Sequence, residues 1–255
     1  LVFRTILTFI TVPLVTLVLG AIVLTVGVAL PGRWCFNPVF RLWSACILAA
    51  AGVRLHVEGA EQIDHRREHF FVGNHQSLFD IPIIAAVTRG RVRFLAKRSL
   101  FRIPVFGWIL LAHDFVSIDR SSARKTVASL AEMAKRLKKR PVSLLVFPEG
   151  TRTRDGTITP FKRGAIQVCK RTGLPVVPIA VDGSMRIHLR DTKRIRAGDV
   201  RVRLGEPIPV DEVAETSADE LTARLENEIH DMLGRPTGLN DEYSMTNDER
   251  MSNHP

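Results

Sequence analysis

His75 and Asp80 are residue types that together can move a proton, and they stand five positions apart in Gly73-Asn74-His75-Gln76-Ser77-Leu78-Phe79-Asp80. On a regular helix five residues turn through about 140°, so the two side chains share no helical face and can meet only across a turn that enters a helix. Gly73 before the pair and Pro82 near the first helical position suit such a turn. Brought together, Asp80 would hold one tautomer of His75 and stabilise its imidazolium, leaving the other ring nitrogen as a general base. Taken alone, H-x-x-x-x-D is a common chance pattern.

Two further polar clusters follow apolar runs. Val142 to Phe147 runs into Pro148-Glu149-Gly150-Thr151-Arg152, and Val92 to Ala96 runs into Lys97 and Arg98. Glu149 and Arg152 at a strand's end are expected in a cleft that solvates their charge, and Lys97, Arg152 and Lys162 could surround one phosphate. Each cluster singly also fits a surface salt bridge or a solvated lysine. His65 and His69, one helical turn apart beside Asp64 and Glu68, lie in a charged connector and read as a solvated face, so no metal is expected. Cys35, Cys46 and Cys169 form no C-x-x-C pair, and Cys169, between Val168 and Lys170, reads as core packing. There is no G-x-S-x-G elbow, no G-x-G-x-x-G after a strand and no Walker pattern, so neither a covalent nucleophile nor a cofactor is implied.

The elements that must position these residues alternate. Strands are expected at Val53–Val57, Phe70–Val72, Val92–Ala96, Phe115–Ile118, Val142–Phe147, Val176–Val181 and Val200–Leu204. Helices are expected at Ile81–Val87, Ala123–Lys139, Gly164–Arg171 and Ala218–Leu233, the last opened by a Ser217/Glu220 capping box. The pattern predicts an α/β fold, a mostly parallel sheet flanked by helices on both faces, with ligands beyond the carboxyl ends of the strands.

From Thr5 to Gly32, 28 consecutive residues carry no charge, and sixteen are Leu, Ile, Val or Phe. As a helix this stretch is about 42 Å long against about 30 Å of bilayer hydrocarbon. Pro13, Gly20, Gly27 and Pro31 leave both a tilted span and a re-entrant hairpin open. Trp34 and Trp43 are candidate interfacial anchors. The organisation expected is a membrane-anchoring helical segment at 1–53, an α/β domain at 54–233 and a disordered tail at 234–255. Arg33, Arg41 and Arg54 gather after the apolar run, which places the bulk of the chain on the cytoplasmic side of a cell membrane.

Charge narrows the partners. Residues 89–204 hold 27 basic against 8 acidic groups, whereas 205–255 hold 3 against 13, and of all 36 basic residues 28 are Arg. A basic middle points to an anionic partner such as phosphate or anionic lipid. Nucleic acid is not expected, because the chain has a single Tyr, 7% aromatic residues and no RNP, zinc-finger or helix-turn-helix pattern. A His–Asp hydrolase would need a metal in place of the missing nucleophile.

Four blocks occur in one order: Asn74-His75 with Asp80; Ser117-Ile118-Asp119-Arg120 after Phe106-Gly107-Trp108; Phe147-Pro148-Glu149-Gly150-Thr151-Arg152; and Val177-Pro178-Ile179-Ala180-Val181. This order resembles the glycerolipid acyltransferases, most closely the PlsC-like lysophosphatidic acid acyltransferases, over roughly residues 34–210. The second block departs slightly, with Ser117 where the family more often has an apolar residue. The resemblance implies that His75 is the general base and Asp80 its orienter. It implies that Lys97, Arg120 and Arg152 grip the acceptor's phosphate and that Glu149, Gly150 and Thr151 shape the acceptor site. It also implies an acyl-CoA or acyl-carrier-protein donor, a lysophospholipid acceptor within membrane lipid, and no cofactor. Lyso-forms of ornithine, aminoacyl or glycosylated lipids are alternative acceptors.

Overall fold

The computed structural model describes residues 2–29, 36–118 and 142–234. The expected helix at 123–139, Arg120 and the tail beyond 234 lie outside the described residues, as do Trp34 and Cys35.

Among the described residues, seven strands form one sheet in the order β1-β7-β6-β2-β5-β3-β4. They are β1 (Val53–Glu58), β2 (Phe70–Gly73), β3 (Val92–Lys97), β4 (Val116–Ile118), β5 (Ser143–Val146), β6 (Val176–Asp182) and β7 (Gly198–Leu204). Every neighbouring pair is parallel except β6 and β7, so β1 and β7 run opposite to the other five. The central strands β2, β5 and β6 are buried at every position, as expected of parallel strands covered on both faces. In β7, which lies between β1 and β6, Val200, Val202 and Leu204 are buried and alternate with less buried polar residues, so one face of this strand is covered more fully than the other.

Alternation along each strand divides the core in two. Phe71, Leu145, Val177 and Ile179 face α2 (Phe36–Ala51) and α3 (Asp80–Val87). Phe70, Val72, Leu144, Val146 and Ala180 face the other way. They meet the fifth and eighth described helices, α5 (Arg163–Thr172) and α8 (Ala218–Gly234). In α8, Leu221, Leu225 and Ile229 recur every four residues and are all fully buried. The helix begins at the expected cap, with Glu220 N–H donating to Ser217 Oγ at 3.1 Å. Cys169 lies in this core on α5, where burial pushes its thiol up and keeps it unreactive. The hydrophobic pattern alone does not announce three short helices: α4 (Phe106–Ala112), α6 (Ser184–Ile187) and α7 (Val210–Glu215).

The first helix, α1 (Val2–Ala29), continues through Pro13 and Gly20, so neither residue ends or turns it. Its Val2–Val26 stretch has a mean hydropathy of 2.6 and is long enough to cross a bilayer. Nine large apolar side chains from Val2 to Ile22 are exposed. α1 packs against α2 and α4. Trp43, expected as an interfacial anchor, is half-buried between α1 and α2. Its indole N–H donates to Thr16 Oγ1 at 2.9 Å.

One buried cation ties α2 to the sheet. Arg93 of β3 is 1% exposed and donates to the carbonyls of His113, Gly90, Arg91 and Val92 and to Asn37 Oδ1, with its guanidinium 4.2 Å from the Phe36 ring centre. His113 stacks on the same Phe36 ring at 4.2 Å. Burial, followed by the nearby Arg93, pushes its pKa down to about 4. His69 also departs from expectation. It is buried beside Phe71 rather than solvated.

Candidate active site

The carboxyl ends of β2, β5 and β3 lie side by side, each about 4.8 Å from the next, and each carries one expected cluster. β2 ends in Gly73, which packs closely on β6: a Cβ there would lie 3.0 Å from the Ile179 side chain and 3.1 Å from its carbonyl oxygen, a tight contact. Asn74 follows, 1% exposed, and grips β6 from both sides. Its Nδ2 donates to Val181 O at 2.9 Å, and its Oδ1 accepts from Val181 N–H at 2.8 Å. Asn74 thus fixes where the chain leaves the sheet, a role that the sequence shows only as a residue type before His75.

The next residues turn into α3. Asp80, fully buried in the first turn of α3, accepts three hydrogen bonds on one oxygen: from His75 Nδ1 at 2.8 Å, Gln76 N–H at 2.8 Å and Ser77 N–H at 2.9 Å. A carboxylate only accepts, so Nδ1 carries the hydrogen and the neutral ring keeps its lone pair on Nε2. The side chain of His75 is 18% exposed. Its ring lies flat on Phe147, with ring centres 4.1 Å apart and planes within 7°. The turn expected to unite residues five apart is therefore present, and Asp80 itself organises it.

The loop after β5 fixes the backbone of His75. Glu149 is 3% exposed, not solvated in the cleft as its position in the sequence suggested. Its Oε1 accepts from His75 N–H at 2.6 Å, and its Oε2 accepts from Thr159 N–H and Oγ1 at 3.2 and 3.1 Å. Burial raises its pKa, opposed by these same hydrogen bonds. On the other side Thr153 N–H donates to His75 O at 2.9 Å. Gly150 adopts φ +74°, and a Cβ there would lie 2.6 Å from Lys162 Nζ, which sets that ammonium over the loop. Thr159 carries no sequence signal of its own.

Cationic groups ring the same edge. Lys97 ends β3 and is exposed, Thr151 is exposed and Arg152 is half-buried. The carbonyl of Arg152 accepts from Arg190 Nη1 at 2.7 Å, and Thr151 Oγ1 takes a longer bond from the same nitrogen at 3.4 Å. Arg190 belongs to the segment after α6, whose His188 carbonyl accepts from Ser77 Oγ at 2.9 Å. Burial lowers the pKa of the His188 imidazole, and the Arg152 charge acts in the same direction. His75, Asp80, Glu149, Gly150, Thr151 and Arg152 are thus brought to one edge of the sheet, with Lys97 on the strand beyond. The backbone N–H groups beside His75 and in the loop are already engaged. The N–H groups of Gln76 and Ser77 go to Asp80, and that of Gly150 goes to Phe147 O.

The family model described as Acyltransferase matches residues 54–182, half of the chain. The chain belongs to the acyltransferase family. Among its members, 1-acyl-sn-glycerol-3-phosphate acyltransferase alpha of Homo sapiens is 30% identical over 195 residues, covering 76% of this chain and 68% of the human one. The 1-acyl-sn-glycerol-3-phosphate acyltransferase of Cocos nucifera is 33% identical over 162 residues, covering 63% of this chain and about half, 52%, of the coconut protein. The crystal structure of the 1-acyl-sn-glycerophosphate (LPA) acyltransferase PlsC from Thermotoga maritima superposes with a TM-score of 0.80 at 25% identity, over 92% of this acyltransferase and 97% of that chain. The mostly parallel sheet, its flanking helices and the apolar N-terminal helix are common to this fold.

Proposed function

We propose that this acyltransferase moves a fatty acyl group from an acyl thioester, acyl-CoA or acyl-carrier protein, to the free hydroxyl of lysophosphatidic acid, giving phosphatidic acid. The single observation that carries the reading is the 2.8 Å bond from His75 Nδ1 to a buried Asp80 carboxylate, which leaves Nε2 as a base at the mouth of the strands. Nε2 takes the proton of the acceptor hydroxyl as its oxygen attacks the thioester carbonyl. The tetrahedral intermediate then expels the thiolate, which recovers the proton from the imidazolium. Asp80 stays ionised and stabilises the imidazolium while it exists. A thioester is already activated, so the transfer needs no acyl-enzyme.

Lys97 and Arg152 offer positive charge for the acceptor's phosphate, with Arg120 proposed as a third. Arg suits this task through paired N–H donors. The buried Glu149 serves as a positioning residue for His75, and Gly150 and Thr151 shape the loop around it. The exposed apolar face of α1 supports membrane attachment, with the α/β domain on the cytoplasmic side. A two-chain product stays in the bilayer, so a site beside that helix delivers it where it belongs.

The test is turnover by the purified protein with labelled lysophosphatidate and either donor. Wild-type protein should form phosphatidic acid, and a folded His75→Ala variant should lose essentially all activity. A variant keeping more than a tenth of wild-type turnover would refute His75 as the base. Incubation with labelled donor alone should leave the protein unlabelled, and a trapped acyl-enzyme would overturn direct transfer.

A further inference from the structure

Beside the turn from His75 to Asp80 lies an apolar cavity of about 380 Å³ that the transfer chemistry does not use. Its walls are α1, through Thr8 and Val12; α2, through Trp43; the start of α3, through Phe79; and the segment after α6, through His188. Two other liners, Phe9 and Leu78, are more than half exposed and mark where the cavity meets the exposed apolar face of α1. A water's share of liquid volume is about 30 Å³ and a methylene takes a similar space, so the cavity matches roughly a dozen chain carbons.

Two polar atoms in this apolar wall are unmatched. Thr16 and Thr25 on the same helix return their hydroxyls to the carbonyl one turn back, to Val12 O at 2.6 Å and Ala21 O at 2.8 Å. Thr8 does not. It is 1% exposed, and its Oγ1 has no hydrogen-bond partner. His188 is 8% exposed, and its Nδ1 is likewise buried without a partner. Buried polar atoms are nearly always satisfied, and both residues belong to this cavity's wall, so a ligand that is mostly hydrocarbon and bears a polar group beside them would complete their hydrogen bonding. The wall holding His188 is fastened to both neighbours. Ile195 N–H donates to Thr5 Oγ1 at 3.0 Å, and Arg190 holds Arg152 O at 2.7 Å. Arg152 and the cavity therefore flank one segment, with His75 on the adjoining loop.

We infer that this cavity seats the acceptor's own hydrocarbon chain, with the Thr8 hydroxyl and the His188 imidazole meeting the ester at its head. The inference rests on the lysophospholipid reading above. It adds that the acceptor is held at both ends, its phosphate by Arg152 and its chain against α1, with the free hydroxyl between them at His75. Trp43, which lines the cavity from α2, is fixed against α1 by its hydrogen bond to Thr16.

Two variants and one probe test it. Val12→Trp fills the cavity. The ratio of kcat/KM for long-chain over short-chain lysophosphatidate should fall at least about tenfold, while the preference among donor chain lengths moves less than about twofold. Leu14→Trp, on the exposed face of the same helix, should change neither ratio. A shift in the donor preference instead would assign the cavity to the donor chain and overturn the inference. Thr8→Val keeps shape and removes the hydroxyl. It should lower kcat/KM for 1-acyl acceptors by roughly three- to tenfold, as expected for one lost hydrogen bond, and leave 1-O-alkyl acceptors, which lack the carbonyl, unaffected. Equal loss on both acceptors would also count against it. Independently of turnover, single-chain lipids carrying a diazirine at the chain end, one with a phosphate headgroup and one neutral, should label peptides of α1 and α2 without donor present. Labelling confined to other elements overturns the inference, whereas cavity labelling by a protein that never turns over lysophosphatidate would refute the proposed reaction and leave the chain site standing.

Discussion

Replacing Asp80 by Asn separates charge from geometry in this site. The carboxylate oxygen facing His75 also accepts from the N–H groups of Gln76 and Ser77 at 2.8 and 2.9 Å. An amide at position 80 can place only its oxygen there, because its NH2 would meet two backbone donors. The His75 tautomer and the turn are therefore preserved in Asp80→Asn, and what disappears is the negative charge opposite the imidazolium. Two unit charges about 4 Å apart at an effective dielectric of about 20 interact by about 4 kcal/mol. At about 1.4 kcal/mol per tenfold in rate, kcat should fall about a thousandfold. The amide nitrogen would occupy the place of Asp80 Oδ1, which already lacks a partner, so stability should move by only about 1 kcal/mol. The assay is initial velocity at saturating donor and acceptor, read by formation of the labelled two-chain product, beside a thermal melt. Asp80→Ala is the contrasting variant. It leaves two buried N–H groups unpaired and should lose roughly 2–5 kcal/mol of stability as well as activity. If Asp80→Asn keeps kcat within tenfold of wild type, electrostatic support of the imidazolium is not what Asp80 provides, and the mechanism above is wrong.

Arg152→Ala should raise the acceptor KM by about ten- to a hundredfold, as for a charge-assisted hydrogen bond of roughly 1.5–3 kcal/mol, with the donor KM little changed; an unaltered acceptor KM removes Arg152 from the phosphate site. Glu149→Gln must point an NH2 at either His75 N–H or the Thr159 donors, so stability should drop by roughly 1–3 kcal/mol and kcat should fall with it. Because burial raises the Glu149 pKa, the folded wild type binds more protons than the unfolded chain just above pH 4.5, and its stability declines as pH rises through the raised value. Denaturant melts across that range should show the wild-type advantage over Glu149→Gln shrinking with rising pH, and a constant difference would refute the assignment. His113 behaves oppositely: its pKa is pushed down to about 4, so the stability it contributes is present above pH 6.5 and is lost as pH falls through 4. A loss of about 3 kcal/mol should be present in wild type and absent in His113→Phe, and identical pH profiles would overturn that reading.

The strands and the long helices were legible because their burial is periodic. Phe70–Val72, Val142–Phe147 and Val176–Val181 read as continuous apolar runs since both faces of β2, β5 and β6 are covered, and Ala218–Leu233 carries both a cap and a four-residue repeat. What sequence reading could not reach is pairing. Nothing in Val53–Val57 or Val200–Leu204 indicates that β1 and β7 run against the rest of the sheet, because register depends on chains distant in sequence. Short helices such as Phe106–Ala112 escape because two turns bury too little surface to impose a period. The bond from Trp43 to Thr16 escapes for a related reason: the two are neighbours only once α1 and α2 have packed.

In the site, the reacting pair was legible and its support was not. His75 and Asp80 declare themselves by residue type, but Glu149 looks like any charge at a strand's end. Only the adjacency of β2 and β5 turns it inward. The consequence is mechanical as well as electrostatic. The imidazole is held by Asp80 at Nδ1 and by Phe147 against its face, and its backbone is held by Glu149 at the N–H and Thr153 at the carbonyl. A base fixed at four points loses little freedom when the acceptor hydroxyl arrives, and orientation of this kind supplies several kcal/mol of a barrier. Three of those four points, Phe147, Glu149 and Thr153, come from the segment after β5 that also carries Arg152. A disturbance of the phosphate-binding loop should therefore reach the base through Glu149 and Thr153, so kcat and the acceptor KM should move together in Glu149 variants, whereas Arg152→Ala, which leaves the loop's backbone bonds in place, moves KM alone.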